Sequence, residues 1–169
     1  VAKAVDIYDA TEDEAVLGVI GPRSRALLQS LTDTDLSSAA FPFATSQLMD
    51  IAGATVRATR LSFVGELGWE LYVAAVHAPR LYRALRAAGA RNAGYHALDS
   101  LRMEKGYRHW GHDVTPDDTP LEAGLGFAVA FGKAEPFLGR DALLRQREAG
   151  LERRLLSFAL DDSEPLLLH

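Results

Sequence analysis

Apolar and polar positions change their period several times along the chain, and each change marks an element. Residues 15–20 form a short apolar run, the pattern of a buried strand. Gly21-Pro22 follows, and proline at a first helical position predicts a helix over 23–31, with Ala26, Leu27, Leu28 and Leu31 on its apolar face. Residues 33–43 carry no period and read as loop. Residues 47–51 and 55–63 predict strands around a turn at Gly53, and 68–74 a further strand. Pro79 and Gly89 bracket a helix over 79–88, with Leu81, Tyr82, Leu85 and Ala88 turned inward. Residues 95–105 predict a helix closed by Gly106, and 140–149 one ended by Gly150. Residues 126–131 and 152–160 read as strands, and 107–119 as an irregular segment rich in Gly, Pro, Asp and aromatics. Strands and helices mix without strict βαβ alternation. That predicts the α+β class, with a mixed sheet or sheets flanked by helices.

Composition narrows the chemistry. The 169 residues are 48% hydrophobic and 24% charged, a globular profile with enough chain for a sizeable core. There is no cysteine, which excludes disulfides, thiolate metal sites and a cysteine nucleophile. The net charge of −5 gives no general attraction for nucleic acid. No apolar run approaches the roughly 20 residues of a membrane helix. A membrane partner is not expected, and a cytoplasmic location is. Arg80, Arg83 and Arg86 recur at threefold spacing, either a solvated helix face or an attractive surface for an acidic ligand tail. The chain opens on Val1 rather than Met and closes on an apolar run, so a fragment of a longer protein is expected, with self-association through cut ends.

The segment 60–72 holds the sharpest candidate chemistry. Its pattern predicts strand, tight turn, strand, with Gly65 and Gly68 bracketing Glu66. Glycine lets the backbone turn sharply or approach a ligand closely. An ionised carboxylate only accepts hydrogen bonds, and its two oxygens can meet two parallel N–H donors of a flat ring. The plainer alternative is a hairpin with a solvated Glu.

Three stretches carry a resemblance. Phe63-Val64-Gly65-Glu66-Leu67-Gly68-Trp69-Glu70-Leu71 is similar to a signature of dimethylglycine and sarcosine dehydrogenases, in the half of those enzymes that resembles the glycine-cleavage T-protein, an aminomethyltransferase. Leu98-Asp99-Ser100-Leu101-Arg102-Met103-Glu104-Lys105-Gly106-Tyr107-Arg108 with Trp110, and Thr119-Pro120-Leu121-Glu122-Ala123-Gly124-Leu125-Gly126-Phe127, follow in the family's order. The resemblance implies a T-protein-like folate-binding region over 1–150, containing a ferredoxin-like element, and the start of a C-terminal β domain over 151–169. It implies tetrahydrofolate as the cofactor, with Glu66 receiving the amino and ring N–H groups of the pterin. Phe63 and Trp69 are the candidate ring contacts. Phe63 stands where many relatives have Tyr. Leu98 stands where T-proteins commonly carry an Arg linked to the folate tail, and Arg108 is the candidate replacement. The family's catalytic Asp falls upstream of everything matched, and its role is not transferred to Asp6 or Asp9. The implied parent oxidises an N-methyl amine on FAD and passes the one-carbon unit to tetrahydrofolate. Its flavin is expected on a missing part of the same polypeptide, since no G-x-G-x-x-G occurs here.

Other readings remain open, the first of them an aminomethyltransferase (T-protein) of the glycine cleavage system. His109, His112 and Asp113 form an H-x-x-H-D cluster, the makings of a metal or acid–base hydrolase, but Gly111 argues against the helix that spacing needs. A purely structural T-protein-like domain that has lost folate is favoured by Leu98 and Phe63.

Overall fold

A computed structural model describes residues 5–162. The named elements are β1 (Glu14–Ile20), α1 (Ser24–Gln29), β2 (Ser46–Ile51), β3 (Ala54–Thr59), β4 (Gly68–Ala74), α2 (Ala78–Ala87), α3 (Tyr95–Glu104) and α4 (Arg140–Ala149). Two short 3₁₀ turns lie at Ala75–His77 and Gly126–Ala128. The chain divides into two compact units after Lys105.

In the first unit the four strands form one sheet in the order β1-β4-β3-β2. Each strand pair is antiparallel, so the α+β class holds with an antiparallel sheet. Alternation sorts the side chains. Val56 pairs with Val73, Ala58 with Leu71 and Met49 with Val56, and all of them are buried on one face. Leu28 of α1, Leu81 and Leu85 of α2, and Leu36 and Phe41 from the loop close over that face. Burying a residue of this size contributes about 1.5–3 kcal/mol each. On the opposite face Val16, Tyr72, Arg57 and Leu48 lie in one row across the sheet. Arg57 stacks 4.1 Å from the Tyr72 ring centroid and donates to Glu14 Oε2 at 2.9 Å.

The β2–β3 hairpin turns on Ala52 and Gly53, both at positive φ (53° and 72°). That is the two-residue geometry matched to strand twist. Arg80 of α2 reaches over to donate to the Gly53 carbonyl. In α2 only Leu81 and Leu85 are buried; Tyr82 is exposed and its hydroxyl pairs with Asn92. A short helix against a sheet buries only its i, i+4 ridge, so the wider inward face expected for Tyr82 does not form.

The second unit has little of this. Val114 and Ala123 are its buried apolar residues among those described, and α4 has none. Hydrogen-bonded turns organise it instead. Thr119 and Glu122 form a reciprocal capping box: the Thr119 N–H donates to Glu122 Oε2 at 2.9 Å, and the Glu122 N–H donates to Thr119 Oγ1 at 3.2 Å. Arg153 donates to Glu122 Oε1 at 3.1 Å and to the Asp117 carbonyl at 2.7 Å.

Three expected strands are corrected. The strand expected over 55–63 stops at Thr59. Residues 126–131 begin with a 3₁₀ turn, and 152–160 hold no strand. A strand satisfies its backbone only as a member of a ladder, and an apolar run without a partner strand does not become one. At 152–160 the backbone bond seen among the described residues runs from Leu155 N–H to the Glu122 carbonyl at 2.9 Å. Leu155, Phe158 and Leu160 are exposed, as expected for apolar positions without a partner sheet.

Candidate functional site

Glu66 sits on the connection between β3 and β4. This connection is an eight-residue loop from Arg60 to Leu67, where a tight hairpin was expected. Its ends are fixed. Arg60 N–H donates to the Thr45 carbonyl at 2.9 Å, and Arg60 Nη1 to the Phe41 carbonyl at 2.6 Å. The Leu67 carbonyl accepts from Gly21 N–H at 2.7 Å and from Ser24 Oγ at 3.0 Å. Between these points Val64 is buried, and its N–H is held by Ser62 Oγ at 3.2 Å. The loop therefore presents Gly65 and Glu66 from a frame anchored on both sides.

The two glycines do different jobs. Gly65 has φ +70°, a conformation that costs an L side chain about 1–2 kcal/mol. Gly68 is not left-handed: a Cβ there would lie 2.9 Å from Ile20 Cγ1 and 3.1 Å from the Val19 carbonyl oxygen. It permits the close approach of β4 to β1.

The Glu66 side chain is half-exposed, and its Oε1 lies 3.4 Å from Lys105 Nζ. The stem of Lys105 crosses Gly65, since a Cβ built on that glycine would be 2.6 Å from Lys105 Cγ. Lys105 follows the last turn of α3 and is succeeded by Gly106 at φ +68°. Sequence reasoning missed this residue. The two partners are far apart along the chain, and a lysine at a helix end carries no local sign of a distant partner.

The other expected site residues are placed differently. Phe63 is half-buried on the same loop. Trp69 is fully buried in the core, its ring edge-on to Phe41 at 6.1 Å. The guanidiniums of Arg25 and Arg60 lie 6.0 and 5.8 Å from its ring centroid. Trp69 thus supports the loop from beneath and offers no surface to a ring outside. Arg108 belongs to the second unit, where its Nε donates to the Ala123 carbonyl at 2.8 Å and its Nη1 to the Gly106 carbonyl. Those bonds give it a local structural task. The arginine stripe on α2 is similarly engaged, Arg80 on Gly53 and Arg86 on the Ala90 carbonyl at 2.8 Å. Two surface grooves, about 440 Å³ beside Thr32 and Asp50 and about 600 Å³ beside Phe137 and Leu143, are not lined by Glu66.

His109, His112 and Asp113 form a turn. Asp113 Oδ2 accepts the backbone N–H of His109 at 2.8 Å, and the two imidazoles stack at 5.3 Å. Gly111 at φ +82° breaks the helix that metal-binding spacing would require. Among the described residues no group of three or more His, Asp or Glu is placed to hold a metal ion. No helix among them is long and apolar enough to cross a membrane.

Glu122 is a perturbed acid of the second unit. The Thr119 backbone N–H, then its hydroxyl, then Arg153 pull its carboxyl down to about 2 from an ordinary 4.5. All three hydrogen-bond the ionised form, which is a structural use of the charge.

A four-stranded antiparallel sheet covered on one face by helices, with a glycine-bracketed carboxylate loop between two strands, makes the first unit an α+β region. The chain belongs to the GCVT N-terminal domain family, whose model matches residues 1–133. It is 54% identical over 164 residues to the mitochondrial sarcosine dehydrogenase of Homo sapiens, covering 95% of this chain and 18% of that protein. It is 42% identical over 167 residues to the mitochondrial dimethylglycine dehydrogenase of Mus musculus, covering 95% and 19%. An aminomethyltransferase of Caldanaerobacter subterraneus subsp. tengcongensis is 41% identical over 160 residues, covering 92% of this chain and 42% of that protein. The chain spans less than half the length of each of these relatives.

Proposed function

We propose that this chain is the folate-binding module of a larger polypeptide of the sarcosine and dimethylglycine dehydrogenase kind. In this reading the polypeptide oxidises an N-methyl amine on FAD carried by another of its parts, and the one-carbon product passes to tetrahydrofolate. Residues 151–169 then lead into the following β domain. The observation that carries the reading is the loop bearing Glu66: a half-exposed carboxylate beside a left-handed glycine, on a frame pinned at Arg60 and Leu67.

The acceptor chemistry of Glu66 supports this reading. An ionised carboxylate with one oxygen near an ammonium keeps acceptor capacity for the adjacent amino and ring N–H groups of a pterin. Phe63, on the same loop, is the aromatic neighbour that supports this reading best. Trp69 acts from the core, by holding the end of the loop. Arg108 holds its own turn.

The test is tetrahydrofolate binding by calorimetry on the full polypeptide. Glu66→Gln keeps the shape and replaces one acceptor by a donor. It should weaken binding by about 1.5–3 kcal/mol, the worth of hydrogen bonds to a charged group. Unchanged affinity would remove Glu66 from the site. A second reading, an aminomethyltransferase, is favoured by the 41% identity to such an enzyme. Flavin absorbance in the purified full polypeptide separates the two: its presence selects the dehydrogenase, its absence the aminomethyltransferase.

A further inference from the structure

Glu66 is served by a residue that neither its loop nor its strands provide. Lys105 comes from the end of α3, and two independent features tie it to the carboxylate. Its ammonium lies 3.4 Å from Glu66 Oε1. Its aliphatic stem lies against the backbone of Gly65, close enough that a Cβ there would fall 2.6 Å from Cγ, 3.0 Å from Cδ and 3.1 Å from Cβ of the lysine. The glycine at 65 therefore does more than allow a left-handed turn. It also leaves the space through which the lysine stem reaches the acid. The origin of the stem is fixed as well. The Lys105 N–H closes the last turn of α3 on the Leu101 carbonyl at 3.4 Å, and Gly106 at φ +68° turns the chain away immediately after.

We propose that Lys105 is a positioning residue for the ligand of Glu66: its stem braces the Gly65–Glu66 turn and its ammonium holds the carboxylate turned to receive a paired N–H donor. The proposal rests on the folate reading of Glu66. Physically it needs only what is present. A carboxylate offers about four acceptor sites. One ammonium on Oε1 fixes the side-chain torsions without using up the acid. A flexible glutamate with no such partner loses rotamer freedom when it binds, and that loss is set against affinity. A pre-paired glutamate has lost part of it already.

Three substitutions in the full polypeptide separate the stem from the charge, with tetrahydrofolate affinity measured by calorimetry and folding followed by thermal denaturation. Lys105→Met keeps a stem over Gly65 and removes the ammonium. It should weaken binding about two- to fivefold, the range of a half-exposed ion pair, with little change in Tm. Lys105→Ala should weaken binding more, because the brace goes as well. Lys105→Arg should restore most of the affinity that Met loses. Combining Lys105→Met with Glu66→Gln makes the action through Glu66 visible: in the Glu66→Gln background the loss caused by Met should disappear. Binding by Lys105→Met that equals or exceeds wild type overturns the proposal, as does a Met loss that persists undiminished in the double variant. If Glu66→Gln alone leaves affinity unchanged, it is the folate reading of Glu66 that fails, and the two failures are thereby told apart.

Discussion

The two compact units are stabilised by different physics. Residues up to Lys105 enclose an apolar layer between one sheet face and α1 and α2, with Trp69, Leu71, Phe41, Leu28 and Leu81 fully buried. The described residues from Gly106 onward bury little, and are organised by side chains that accept or donate at backbone groups: Asp113 on His109, Glu122 on Thr119, Arg108 on Ala123 and Arg153 on Asp117. Apolar burial is non-directional and scales with area, so it survives small adjustments of packing. A polar turn depends on hydrogen-bond geometry and on the charge state of its acid. The loop bearing Glu66 draws on both kinds: Val64 and Trp69 are buried, while its ends are hydrogen-bonded at Arg60 and Leu67.

The largest effect should come from the apolar layer. Trp69→Ala removes a fully buried ring and should cost about 3–5 kcal/mol, read from denaturant unfolding. Leu81→Ala, on the buried face of α2, should cost about 2–5 kcal/mol by the same measurement. If either falls below the effect of substituting an exposed residue such as Phe127, the contrast between the units is wrong, since surface changes usually stay within about 0.5 kcal/mol. Next comes Gly65→Ala, which places a side chain at φ +70° and pushes on the Lys105 stem; about 1–2 kcal/mol is expected, with a larger proportional loss of tetrahydrofolate affinity than Gly89→Ala produces.

The second unit should answer to pH instead. The carboxyl of Glu122 is lowered in the folded chain, so its contribution is fully present above its ordinary 4.5 and is lost as pH falls toward about 2. Hydrogen exchange should show the amides around Thr119 and Leu155 opening over that window while those of β3 and β4 stay protected. Glu122→Gln should remove the pH dependence at those amides. Acid opening that begins in the sheet, or that is unchanged in the variant, would break the comparison.

Local pattern alone placed α2 and α4, the Gly53 turn and β4 after Glu66. Each is written in neighbouring residues: a proline near a helix start, a glycine past its end, alternation along one strand. It also singled out Gly65 and Glu66, because a carboxylate bracketed by glycines is legible without any partner. What it could not decide was how far an apolar run would find a ladder. Residues 126–131 and 152–160 have strand composition, yet 126–128 form a 3₁₀ turn and 152–160 carry no strand. Nor could it separate the two aromatics beside Glu66, since Phe63 and Trp69 are alike in sequence chemistry. Trp69 begins the inward face of β4, and register against Val19 sends it into the core; Phe63 lies on the loop, outside that register. Lys105 is the clearest case. Its meaning depends on α3 ending where its stem can cross Gly65, a meeting of residues distant in sequence that only the folded backbone creates.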